Sequence, residues 1–284
     1  MKRLSMCPTM ECQTATPKHD SVVNGVRSID RAMSLLEALA EDSQGQRLTD
    51  LCIRTSISTS TAHRILTTLE KRRFVHFDPS DRLWHVGRQA FSIGAAFLRR
   101  RNFVGEALPY LRTLRDRTQE TASLGATDDG GIVVLAQIES RQIVRAVAPA
   151  GGTVPIMSSG LGKAILATYT EKDVMAAIRR HGMKRTTPRT FNRPGALNAA
   201  LSCIRKDGYA IDDEEAMIGL RCVAAVVYDD WGEALASISV SGSKGRFSEE
   251  RIPLLGSLVQ QTAFDLTRAL GGKLPKRGSR PARL

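Results

Sequence analysis

From Val26 onward the apolar positions follow a helical rhythm, with Ile29, Ala32, Met33, Leu36, Leu39 and Ala40 recurring at three- and four-residue steps. Gly45 ends that run, and Thr49 is placed to cap a short second helix through Leu51 and Ile53. A break at Thr55 and Ser56 precedes a third helix that starts near Ser58 and gathers Ala62, Ile65, Leu66 and Leu69 on one face. After Arg73 the period changes. Phe74, Val75 and Phe77 lead into the turn-forming run Asp78-Pro79-Ser80-Asp81, and Leu83, Trp84 and Val86 read as a returning strand. Three helices followed by a small hairpin predict a winged helix-turn-helix over residues 25–87.

Residues 88–101 carry Phe91, Ile93, Ala95, Phe97 and Leu98 in a further helix closed by Arg99-Arg100-Arg101, which reads as a linker spanning 88–102. A helix over Gly105 to Thr118 opens a second domain. Beyond it, strands and helices alternate. Strands are expected over Ile132 to Ile138, after the turn Asp128-Asp129-Gly130-Gly131, and over Gln142 to Ala148. A helix starts near Gly160, and two more run over about 171–181 and 195–207, with Gly182 and Gly208 where C-terminal glycines belong. A hairpin pairs Cys222 to Tyr228 with Leu235 to Ser241 through Asp229-Asp230-Trp231-Gly232, and a last helix spans about Glu249 to Leu270. The order predicts an α/β domain with a largely antiparallel sheet over 103–271. Residues 1–24 and 272–284 read as disordered tails.

Composition narrows the partners. The 284 residues are 42% hydrophobic, enough for two domains with real cores. The formal net charge of +12 suits a polyanion, because Lys and Arg neutralise phosphates and release counterions. Part of that excess sits in the last segment, where Lys273, Lys276, Arg277, Arg280 and Arg283 occur without an acid. No apolar run approaches the roughly 20 residues of a membrane span, and the N-terminus lacks a signal-peptide layout, so a cytoplasmic protein with no membrane partner is expected. The five cysteines, Cys7, Cys12, Cys52, Cys203 and Cys222, follow neither a disulfide framework nor a zinc spacing. Neither a metal nor a cofactor is implied.

Three stretches together carry a family resemblance: Ser28-Ile29-Asp30-Arg31-Ala32 with Leu35-Leu36; Ser60-Thr61-Ala62-His63-Arg64-Ile65-Leu66-Thr67-Thr68-Leu69; and Asp213-Glu214-Glu215 with Gly219-Leu220-Arg221-Cys222-Val223-Ala224-Ala225 and Ile238-Ser239-Val240-Ser241-Gly242. In this order and spacing, over about Val26 to Leu270, the chain resembles the isocitrate-lyase-regulator (IclR) family of bacterial transcription regulators. The resemblance implies a winged helix-turn-helix, a linker helix and a GAF-like effector domain. It also implies a homodimer or dimer of dimers on a pseudo-palindromic DNA operator. The chain departs from the family pattern at Ser58 and Thr59, where relatives often carry Pro then Lys, and at the wing, where Asp81-Arg82 replaces Gly-Arg.

A helix entering the major groove must bury one face and turn the other to base edges and phosphates. The third helix meets that need. Ser58, Thr59, Ser60 and Thr61 are short hydroxyl residues at its N-terminus, where backbone amides can approach phosphate. Arg64 is the residue placed for a base contact, since guanidinium matches guanine bidentately. His63 either touches phosphate or packs at the helix edge, and Arg82 at the wing tip is placed for a minor groove. A solvated helix face is the plain alternative for each of these singly; the constellation favours DNA.

In Ala236 to Ser241 the serines share one side of a strand and Ala236, Ile238 and Val240 the other. A row of hydroxyls suits a cavity for a small polar molecule, with Cys222, Ala224 and Val226 on the opposing strand. The helix opening at Ser159-Gly160-Leu161 offers free amides to a carboxylate without a buried basic residue. By resemblance the effector contacts fall on Gly160, Leu161, Asp212, Leu220, Cys222, Ser239 and Ser241. A small 2-oxo or 2-hydroxy acid, such as glyoxylate or pyruvate, is the expected effector, with an aromatic acid as the alternative. An enzyme using Cys222 and a ligand-free architectural DNA-binding protein are weaker rivals. Gly160-Leu161-Gly162-Lys163 is not a phosphate loop, because Met157 stands where its first glycine should and Ala164 where its Ser or Thr should.

Overall fold

The computed structural model describes residues 26–42, 44–99, 103–140 and 148–275. The N-terminal tail, Arg100, Arg101, the strand expected over Gln142 to Ala148 up to residue 147, and the tail beyond Pro275 lie outside the described residues. The chain divides into two compact units between Ala95 and Ala96.

The first unit contains α1 (Arg27–Ala40), α2 (Leu48–Thr55), α3 (Thr59–Lys71), β1 (Val75–Asp78) and β2 (Leu83–Val86). Their core is Leu35, Leu39, Leu51, Ala62, Leu66, Val75 and Trp84, all buried. Three local expectations are corrected. In α1 the packed residues are Leu35, Ala38 and Leu39, while Ile29 and Met33 are 58% and 48% exposed. At roughly 100° per residue those two sit more than a quarter turn away from the packed face. Arg47, not Thr49, is the residue preceding α2; the Thr49 hydroxyl instead donates to the Asp50 carboxylate at 3.3 Å. Ile53 is 78% exposed, because it lies two positions, and so over half a turn, from buried Leu51.

The hairpin pairs Phe77 with Trp84 and His76 with His85. Gln46 adds a short third rung, exchanging backbone hydrogen bonds of 3.0 and 2.9 Å with Trp84. Gly45, at φ 84°, brings the chain there in a conformation that disfavours side chains, and a Cβ on it would meet the His85 ring. α4 (Arg88–Arg99) follows and runs across the division between the units.

The second unit opens with α5 (Phe103–Thr118), two residues earlier than the pattern suggested. It then adds β3 (Thr121–Asp128), β4 (Gly131–Ile138), β5 (Thr153–Pro155), α6 (Gly160–Leu166), α7 (Glu171–His181), α8 (Pro194–Asp207), β6 (Ala210–Asp213), β7 (Leu220–Tyr228), β8 (Ala234–Ser243) and α9 (Ile252–Ala269). The six strands form one antiparallel sheet in the order β5-β4-β3-β8-β7-β6. Strand alternation sends Leu124, Val223, Ile238 and Val240 to the face covered by α5 and α9, packed with Leu111, Leu114, Leu255 and Val259. Ile132, Val134 and Ala224 face α6, α7 and α8, and pack with Ile156, Leu161, Ile165, Val174 and Leu201. A register shift between Leu124 and Gly125 lets Val134 and Gln137 both turn to this second face, where they line one cavity.

Candidate functional site

Two places in the chain carry chemistry, one in each unit. On α3, Ser58 precedes the helix and its hydroxyl donates to Thr61 Oγ1 at 2.9 Å rather than to a backbone group. No side chain therefore caps the first amides of α3, which stay open to an acceptor from outside. Ser58, Thr59, Ser60, His63 and Arg64 are exposed and Thr61 is half-buried, while Ala62 and Leu66 anchor the opposite face. Arg64 makes no ion pair among the described residues, so its guanidinium is uncommitted. At the wing tip, Asp78 accepts from the Ser80 amide and hydroxyl at 2.9 and 2.7 Å, which holds its carboxyl below the usual range. Arg82 is exposed and stands at φ 60°. The turn does need a left-handed residue, but places it at the arginine rather than at the preceding position where relatives often carry glycine.

If Arg64 reads a base edge, Arg64→Ala lowers affinity for a specific operator by about 1–3 kcal/mol, or roughly 5- to 150-fold, while binding to unrelated duplex changes little. A gel-shift titration against both duplexes measures it. Equal affinity of native and variant protein for the operator removes Arg64 from this role.

The second place is a cavity of about 30 Å³ between the sheet and α6. Of the seven residues expected to meet an effector, Gly160, Leu161, Asp212, Cys222, Ser239 and Ser241 line it. Leu220 does not. It is buried on β7 two residues before Cys222, paired with Ser243 beyond the end of the cavity. The register explains the gathering. Asp212 pairs with Cys222 and Cys222 with Ser241, while Gln137 pairs with Ser123 and Ser123 with Ser239. Directly paired residues of an antiparallel sheet share a face, so two polar rows cross the sheet under α6. Ser159, from the predicted helix opening, also lines the cavity, as do Ser123, Gln137, Val134, Ala148 and Val154, which sequence reasoning did not place there. Gln137 Nε2 donates to Ser123 Oγ at 3.2 Å.

α6 brings its N-terminus to this floor. The Ser159 hydroxyl accepts from the Gly162 amide at 3.1 Å and donates to the Pro155 carbonyl at 2.7 Å. The Cys222 thiol lies against the Gly160 amide and the Ser239 hydroxyl, and burial pushes it up to about 12. A basic residue is buried close by, although it is not among the described lining residues. Lys163, one turn into α6, is fully buried, donates to Glu215 Oε1 and sits 5.1 Å over the Phe191 ring. The Glu215 backbone is clamped by the Thr186, Thr187 and Thr190 hydroxyls, which all donate to its carbonyl. Glu215 Oε2 is buried without a partner among the described residues. Asp212 Oδ1 accepts from the Glu215 and Ala216 amides at 2.7 and 3.3 Å. Burial pushes Asp212 up to about 7, against the pull of nearby Lys163.

A carboxyl raised in the folded state holds its proton longer than the unfolded chain does. Its stabilisation is complete below about pH 3.8, declines as pH rises towards 7 and is absent above it. Between pH 5 and pH 8 this should remove on the order of 2–3 kcal/mol from the native chain but not from Asp212→Asn. Thermal unfolding of both proteins across that range checks it. Parallel pH profiles would show that Asp212 is ionised in both states.

Among the described residues, Cys52, Cys203 and Cys222 are free thiols, and no cluster of His, Cys, Asp or Glu is arranged to hold a metal ion. No described helix is long and apolar enough to cross a membrane.

Comparison with known proteins accords with this layout. The family model for the IclR helix-turn-helix domain matches residues 28–79, and that for the bacterial transcriptional regulator IclR C-terminal domain matches residues 95–268. The acetate operon repressor of Salmonella typhimurium is 37% identical over 253 residues, covering 88% of this chain and 92% of that protein. The HTH-type transcriptional regulator BhcR of Paracoccus denitrificans is 40% identical over 243 residues, covering 86% and 87%. The crystal structure of Thermotoga maritima IclR superposes with a TM-score of 0.74 at 29% identity, covering 86% of this chain and 99% of that one. With both of its units matched in order by the family's own domains, the chain belongs to the IclR family of bacterial transcriptional regulators.

Proposed function

We propose that this regulator binds a specific DNA operator through α3 and the wing, and that a small 2-oxo or 2-hydroxy acid in the cavity under α6 controls that binding. The observation that carries the effector half is the cavity itself. Hydroxyls of Ser123, Ser159, Ser239 and Ser241 line it with the Gln137 amide, and among the described residues no aromatic side chain does. At about 30 Å³ it suits a molecule of few heavy atoms. Among the described lining residues no ring is offered for stacking, and the larger apolar side chains are Val134, Val154 and Leu161.

An enzymatic role for Cys222 is disfavoured by its surroundings. A thiol pushed up to about 12 in a buried setting supplies almost no thiolate at neutral pH, and the thiolate is the nucleophile. The exposed apolar residues Val26, just before α1, Ile29 and Met33 of α1, and Phe91 and Ile93 of α4, support assembly of more than one copy on a pseudo-palindromic site.

A thermal-shift screen of the full chain against two- to four-carbon keto and hydroxy acids and against aromatic acids tests the effector class, because a ligand bound only by the folded form raises the melting temperature. The reading expects a shift of several degrees with the small acids. Stabilisation by aromatic acids alone overturns the effector class and leaves the DNA-binding reading standing.

A further inference from the structure

Among the described residues the cavity lining contains no Lys, Arg or His, and its one carboxyl is Asp212, which is 2% exposed. Among the described residues three titratable groups lie close to Asp212. Lys163 approaches from α6, Glu215 from the loop after β6, and Cys222 from β7. The next residue, Asp213, is engaged elsewhere, with Arg221 and Arg189. Lys163 is committed to Glu215 and fully buried, so one ammonium serves two carboxylates. With all three groups ionised the cluster carries one net negative charge beside a cavity that, on the reading above, receives a carboxylate. Two like charges cannot both persist at close range away from water.

We propose that an anionic effector enters this cavity together with one proton from solvent, which lodges on Asp212. The claim rests on the effector reading of the preceding subsection. The bookkeeping is simple: effector anion plus hydrogen ion plus ionised Asp212 gives bound anion and neutral Asp212, with no covalent bond to the effector. Asp212 Oδ1 is already an acceptor for two backbone amides. The neutral acid therefore presents an O–H that can donate to an effector oxygen, adding a donor to those of Ser239 and Ser241. Burial that already holds Asp212 near neutrality makes the transfer inexpensive. Cys222 cannot be the acceptor of that proton, because its thiol is already protonated. The Lys163–Glu215 pair stays neutral throughout, which confines the charge change to Asp212.

The test is calorimetric titration of the full chain with pyruvate and with lactate, each in two buffers that differ in ionisation enthalpy, at pH 6 and at pH 8. The native protein should take up close to one proton per ligand at pH 8 and much less at pH 6. Its dissociation constant should rise by about tenfold over that interval. Asp212→Asn keeps an acceptor for the backbone amides and supplies a permanent donor, so it should bind with no buffer dependence and a flat pH profile. Binding by native protein with no buffer dependence at pH 8 overturns the proton claim and spares the effector reading. Uptake that persists in Asp212→Asn overturns the assignment to Asp212. Absence of binding by either acid overturns both.

Discussion

Replacing Lys163 with Met should lower the stability of the effector domain by about 3–5 kcal/mol, the cost of leaving one member of a buried ion pair without its partner. Methionine nearly preserves the length and apolar stem of lysine, so the loss is not one of packing volume. It arises because Glu215 loses the one side-chain donor it has among the described residues, where its other oxygen, Oε2, is already unpartnered. The three threonine hydroxyls on the Glu215 carbonyl hold the residue in place and prevent escape to water. For a protein of this size the melting temperature should fall by roughly 10 °C. The loss should shrink at acid pH, where protonation removes the buried charge from Glu215, whose carboxyl burial already raises. The double change Lys163→Met, Glu215→Leu should recover most of it, since an apolar pair of similar volume replaces a buried ion pair at little cost. A single variant as stable as the native chain would show that Lys163 does not neutralise Glu215.

Gly160→Ala and Gly162→Ala add the same methyl group two residues apart on α6, yet should fail in different ways. A Cβ on Gly162 would stand 2.2 Å from the Ile156 carbonyl oxygen and 2.5 Å from its Cα. Backbone cannot rotate aside, so α6 must lift from the sheet, at a cost of about 3 kcal/mol or more in stability. A Cβ on Gly160 would stand 2.9 Å from Cys222 Sγ and 3.5 Å from Ala224 Cβ, inside the cavity. A thiol can turn away, so the fold should persist with a loss nearer 1 kcal/mol, while the space for an effector is filled. Melting curves and effector titrations on both variants check this. If Gly160→Ala binds small acids as native protein does, the cavity under α6 is not their site.

The sequence pattern reached further into some elements than others, for reasons visible in the residues. β4, β7 and β8 were legible because Val133, Val134, Leu135 and the stretch Cys222 to Tyr228 are β-branched or apolar, and all are at least half-buried. β3 was not, because its cavity-facing side is built from Thr121, Ser123 and Gly125, which read as a loop until the sheet is assembled. The same small polar residues that hid the strand are what opens the cavity. Ser239 and Ser241 were found because their alternation with Ile238 and Val240 leaves one polar face. Ser123 and Gln137 were missed because their strands lie across β8 in an order that local periodicity does not encode. Lys163 stood out in the sequence only as part of a run that fails as a phosphate loop. Only its distant partner Glu215, 52 positions along the chain, makes its burial possible. In the first unit the turn chemistry at Asp78 to Asp81 located the wing, whereas the helical period in α1 overstated the packed face by including Ile29 and Met33.

A small acid bound at the Ser239–Ser241 face should alter the hold of this protein on DNA. Fluorescence anisotropy of the full chain on a labelled duplex from upstream of its own gene, titrated with and without pyruvate or glyoxylate, measures it most directly. The acid should change operator affinity at least tenfold in the native protein. No such change is expected in Ser239→Ala, Ser241→Ala, which should bind the duplex normally because both hydroxyls lie on the cavity wall rather than in the apolar core. An effector response that survives intact in the double variant would contradict it.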